Sequence, residues 1–211
     1  MNKTNIFIVT TIVFLLFDIL LLFQIKKYKT VNQHQQLIQD KTTLLSSMKD
    51  LKVNMLEDAI TQSLTSEDLT IRNNITIDNG EASTLLNNVV GSKPRLILRY
   101  SELNCQACID VQLASLNKLA YKIGKENIII LASYKAIANM TKFKRINKLD
   151  MSIYNVDSIG LPLEKENIPF YFIIDQNKKT KLTFVPYKEF PSLTEKYFEL
   201  IQNRFFSENP K

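Results

Sequence analysis

The chain reads as an α/β domain carried on a long N-terminal helix, and three observations predict it. From residue 95 onward, apolar runs of strand length alternate with amphipathic stretches of helix length. The only two cysteines, Cys105 and Cys108, stand three apart where the first strong strand gives way to the first long helix. Ahead of the domain, an apolar run at 6–25 passes into a polar, helix-periodic stretch, with no Pro or Gly between residues 28 and 79.

The 211 residues leave room for one ordinary domain plus extras. The run at 6–25 is broken only by Thr10, Thr11, Asp18 and Gln24. A helix of that length covers about 30 Å, enough to cross a bilayer. Lys26, Lys27, Tyr28 and Lys29 follow it in place of a small-residue cleavage pattern, so 1–27 is expected to be a retained transmembrane anchor. Asp18 costs about 2.5–3.5 kcal/mol at a helix centre, tolerable among its Leu, Ile and Phe neighbours or against a partner helix. The lysines after the span outnumber the positive charges before it by one, a slight lean toward a cytoplasmic C-terminal domain; these lysines can also meet lipid headgroups.

Residues 28–68 are expected to form a helical stalk or short coiled coil. Leu37, Leu44 and Leu51 recur every seven residues, widened by Ile38, Leu45, Met48 and Met55. That stripe fits either a homodimer through the stalk or a spacer between membrane and domain.

The domain, 69–211, starts with two short alternating runs, 69–71 and 75–78, with Asn79-Gly80 as a turn and a helical piece at 83–90. The strand 95–100 precedes a helix from Cys105 to Gly124, whose apolar face is Ile109, Leu113, Leu116, Ala120 and Ile123. A buried-type strand at 127–134, a basic helix at 135–148 and a short strand at 151–156 follow. Ile168-Pro169 leads into a strand at 170–175, a turn at 176–179, a strand at 180–185 and a helix at about 192–206. The order β-α-β-α-β-β-β-α predicts a sheet begun by parallel βαβ units, with helices on its faces.

The formal net charge of +6 does not indicate nucleic-acid binding: lysines alternate with acidic residues, as in Leu163-Glu164-Lys165-Glu166, and no basic block is interleaved with stacking aromatics. No metal site is expected. Zinc or an iron–sulfur cluster needs about four ligands, while the chain has two cysteines and one histidine, His34, far away in the stalk. No cofactor is implied.

A Cys-x-x-Cys at a strand-to-helix junction can work as a redox dithiol. With the second cysteine in the first helical turn the sulfurs come within bonding range, and the first faces the free N–H groups of the helix start, which favour a thiolate. A purely structural disulfide closing so short a loop would add little stability.

These residues resemble the thioredoxin fold, in particular the membrane-anchored TlpA-like thioredoxin family, over about residues 71–206. The resemblance rests on the lead-in strands, the 95–100 strand, Cys105-x-x-Cys108, the strand near Met151, and Ile168-Pro169 before Phe172-Ile173-Ile174-Asp175. It implies catalytic roles for Cys105 and Cys108. It also implies a cis Pro169 beside the dithiol, with Ile168 and Pro169 binding an extended substrate. By the same token it implies thiol–disulfide exchange on disulfide-bearing exported proteins, a separate redox-recycling partner, and a cytoplasmic-membrane location with the domain on the periplasmic or other extracytoplasmic side.

The chain departs from that family in having Asn104 where Trp usually precedes the first cysteine, and Gln106-Ala107 between the cysteines. Glu102 is close in sequence, and no Lys, Arg or His lies between Ser101 and Gln112. Glu102 would oppose a thiolate if near in space, which points toward reduction or mild exchange rather than strong oxidation. The rival reading is a redox-inactive thioredoxin-fold binding or scaffold module that docks a membrane partner.

Overall fold

The structure, a computed structural model, describes the backbone of residues 3–207 and the side chains of Phe17 and of residues 20–207. Helix α1 runs Lys3–Ser66. Among the described residues no helix is long and apolar enough to cross a membrane. The expected anchor bears on residues whose side chains, Asp18 included, lie outside that description. The chain divides into two compact units, Met1–Leu56 and Glu57–Lys211, so the last turns of α1 belong with the α/β domain.

That domain holds β1 (Thr76–Asp78), β2 (Ser83–Leu85), α2 (Leu86–Val90), β3 (Arg95–Ser101) and α3 (Gln106–Ile123). It continues through β4 (Ile128–Ser133), α4 (Ile137–Ile146), β5 (Ser152–Asn155), β6 (Phe170–Ile174), β7 (Thr180–Phe184) and α5 (Pro191–Ile201). The strands form one seven-stranded sheet in the order β2-β1-β5-β4-β3-β6-β7. β3, β4 and β5 are parallel, and β6 is antiparallel to β3, with Leu98 opposite Tyr171.

Strand alternation sorts the core into two layers. Leu96, Leu98 and Tyr100 of β3 face a cluster with Leu113 and Leu116 of α3, Met140 of α4, and Phe198 and Ile201 of α5. Ile97 faces the other way, into a cluster with Leu86, Leu131, Leu163, Phe170 and Phe172. The central strands are buried on both faces, which is why β4 and β6 read as apolar runs and β3 is apolar except for its arginines. α3 ends where its pattern stops: Gly124 sits at φ 87, a conformation that disfavours a side chain, and its N–H closes on Ala120 O at 3.0 Å.

Several elements differ from the sequence expectation. The piece at 83–90 is half strand, because 83–85 pairs with β1 before the chain turns into α2. Residues 69–71 make only an isolated bridge, Thr70 to Lys179. The basic helix is shorter than 135–148; Lys148 sits at positive φ, beyond the Asn147 cap. No described peptide bond is cis, so Ile168–Pro169 is trans, the form the X–Pro amide itself favours by about 0.5–1 kcal/mol.

The segment after α1 is stitched to β7. Thr180 Oγ1 donates to Ser66 O at 2.5 Å, Asp68 N to Thr180 O at 2.9 Å, and Leu182 N to Glu67 Oε2 at 2.8 Å. Lys181 pairs with Asp68. This cover occupies polar groups that an edge strand otherwise leaves open to another chain.

Candidate active site

Cys105 caps the start of α3. Its φ of −55° and ψ of 118° lie outside the helix, and its carbonyl accepts from Cys108 N at 3.0 Å and Ile109 N at 3.2 Å. Cys105 is exposed and Cys108 half-buried, both as free thiols. The Cys108 side chain, within hydrogen-bonding reach, is the largest influence holding the Cys105 thiol below its ordinary value; the Cys108 backbone N–H and the Lys188 charge act in the same direction. The same pairing, then burial, pushes Cys108 up. The first sulfur is thereby biased to the nucleophilic thiolate and the second to the reserve thiol.

Lys188, in the segment between β7 and α5, is a group that sequence reasoning missed: eighty positions from the dithiol, it left no local signal. It supplies the cation that the sequence around the cysteines lacks. Glu102 is engaged elsewhere, since its N–H donates to Ser133 O and its Oε1 accepts from Lys135 N, both at 2.9 Å. The charge expected to oppose the Cys105 thiolate is therefore tied to the β4–α4 junction.

Asn104 links the dithiol loop to the loop before Pro169. Its Oδ1 accepts from Ser101 N at 2.8 Å, closing the turn that delivers Cys105, and its Nδ2 donates to Asn167 O at 2.6 Å. Asn167 is left-handed at φ 50 and is followed by half-buried Ile168 and Pro169. A cleft of about 30 Å³ between the two loops is bordered by Ser101, Asn104, Asn167 and Ile168. Ile168 and Pro169, the residues expected to bind substrate, follow the residue to which Asn104 bonds, and the peptide bond between them is trans rather than the expected cis.

Arg99 lies behind that cleft, its side chain only 6% exposed. Its Nε donates to Glu164 Oε1 at 2.8 Å, Nη1 to Val156 O at 3.1 Å and Nη2 to Asp157 O at 2.7 Å. Burial lowers the Arg99 pKa while the Glu164 charge resists, and a guanidinium remains protonated in any case. Glu164 Oε2 also accepts from Ser158 Oγ at 2.7 Å and Gly160 N at 2.9 Å. One ion pair therefore fixes the 157–167 loop from inside. Arg99, set among the apolar residues that follow Arg95, was a visible sign that a buried partner had to exist.

No protein-family model matches the sequence, and no curated protein matches it. Solved structures do match. A Chlorobium tepidum protein bearing the name thiol:disulfide interchange protein DsbE superposes with a TM-score of 0.50 at 12% identity, over 64% of this chain and 95% of that one. The fold is thioredoxin-like. Two further similar structures are the thioredoxin domain of a thiol-disulfide oxidoreductase from Bacteroides vulgatus (TM-score 0.46, 15% identity, 63% of this chain and 97% of that one) and PrxQ from Xylella fastidiosa (0.48, 13%, 64% and 94%). Such a fold presents the start of α3 at the C-terminal ends of the parallel strands, where open α/β sheets place their sites.

Proposed function

We propose that this thioredoxin-like domain is a thiol–disulfide oxidoreductase of the TlpA-like kind, tethered to the cytoplasmic membrane by residues 1–27 and acting on exported proteins from the extracytoplasmic side. The observation that carries the reading is the asymmetry of the dithiol: an exposed Cys105 biased to thiolate at a helix start, beside a half-buried Cys108 biased to thiol.

The Cys105 thiolate attacks one sulfur of a substrate disulfide. The substrate S–S bond breaks, the departing sulfur takes a proton from solvent, and a mixed disulfide with Cys105 remains. Cys108 then gives up its proton and attacks Cys105 Sγ, expelling the second substrate thiol. The substrate leaves reduced by two electrons, and Cys105–Cys108 is oxidised; a separate dithiol partner returns the electrons. Ile168 and Pro169 would hold the extended substrate chain beside Cys105.

The test is a trap. Cys108→Ala leaves the attacking sulfur but removes the resolving one, so disulfide-linked adducts to Cys105 should accumulate, and Cys105→Ala should abolish them. If the Cys105→Ala/Cys108→Ala double variant keeps full cellular function, the domain is a binding module and the redox reading fails.

A further inference from the structure

The exposed face of α1 carries a second, independent message. Between residues 34 and 51 the heptad positions that form a coiled-coil seam are His34, Leu37, Lys41, Leu44, Met48 and Leu51. The helix is continuous here, and Leu37, Leu44, Met48 and Leu51 are 68%, 61%, 51% and 49% exposed. We propose that this face pairs with a second copy of the same chain as a parallel, in-register two-stranded coiled coil.

The leucines alone would suit any apolar helix; the polar step selects the occupant. In a parallel pair each residue at the first seam position packs beside the residue that precedes the equivalent position on the partner. Lys41 of one copy then sits beside Asp40 of the other, twice by symmetry, and opposite charges meet at the one layer where a cation interrupts the seam. In an antiparallel pairing the two kinds of seam position face each other, and Lys41 abuts leucine without that carboxylate. A lysine at a single seam position also costs stability while specifying register. Ile38 and Leu45, 52% and 58% exposed, flank the seam and add apolar cover. The pairing makes no use of the dithiol and stands or falls apart from the redox reading.

The experiment uses the full chain in detergent micelles with Cys105→Ser and Cys108→Ser, and one new cysteine at a time. Leu44→Cys lies in the seam and Ser46→Cys on the outer face. With diamide as the two-electron oxidant, the seam thiols should join into a covalent dimer about tenfold or more faster than the outer ones. Sedimentation of the same chain without new cysteines should give the mass of two copies. Asp40→Lys or Lys41→Asp alone should shift that mass toward one copy, and the two together should restore it. Equal cross-linking at both positions, a single-copy mass, a mass above two copies, or indifference to the charge exchange each overturns the proposal.

Discussion

At the scale of single residues, the dithiol derives its polarity from neighbours supplied by different parts of the chain. The Cys105 thiol lies below its ordinary value because the Cys108 side chain, the backbone N–H groups of Cys108 and Ala107, and Lys188 all favour its anion. Iodoacetamide labelling of Cys105 in a Cys108→Ala background removes the first of these, so Lys188 is best read in the wild-type dithiol. There the labelling midpoint should fall below that of an ordinary cysteine thiol. Lys188→Gln removes a positive charge that favours the anion, so the midpoint should rise and labelling near neutral pH should slow. Asn104 acts by position. Asn104→Ala loses three side-chain hydrogen bonds, each contributing about 1 kcal/mol or less, and unties the dithiol turn from Asn167. Reduction of a protein disulfide should slow while labelling by a small reagent changes little, a split that stopped-flow assays read directly.

At the scale of elements, the 157–167 loop is organised by the Arg99–Glu164 pair rather than by regular structure. Arg99→Met leaves Glu164 without its buried counter-charge, and denaturant titration should show a loss of about 3–5 kcal/mol. Combining it with Glu164→Gln should recover part of that loss, the signature of an interaction within the pair. Elements of this kind separate what the sequence reveals from what it hides. The strands of the 95–100 and 170–175 runs and the helix after Cys105 were legible because a mostly apolar run of strand length and a 3.6-residue period are local signals. The partner of Arg99 was not, since Glu164 lies sixty-five positions away in a run of alternating charges that reads as solvated surface. Lys188 was hidden for the same reason, and the effect of Glu102 had to stay open, because closeness in sequence does not fix which group a carboxylate engages; here it accepts from Lys135 N. The stretch 83–90 is too short for either period to decide, and its first residues became strand only because β1 was there to pair with.

At the scale of the whole molecule, the α/β domain begins before its first strand. Ser66, Glu67 and Asp68 bond to Thr180, Lys181 and Leu182, so the end of α1 closes one edge of the sheet. A fragment beginning at Glu57 should therefore be more stable than one beginning at Leu69. The shorter fragment loses several hydrogen bonds of about 1 kcal/mol each and leaves β7 uncovered. Calorimetry should show a melting temperature lower by several degrees, and light scattering an increased tendency to associate.

Whether Cys105 and Cys108 form a working redox couple is decided by an equilibrium titration of the two thiols in glutathione and dithiothreitol buffers, using the fragment from Glu57. A working dithiol should show a reversible two-electron couple within about −270 to −120 mV, the span of dedicated thiol oxidoreductases. Lys188→Gln should move it to more negative values, because the reduced form loses stabilisation. A disulfide that resists reduction below about −300 mV, or thiols that never join under oxidising buffers, would mean that Cys105 and Cys108 are not a working couple.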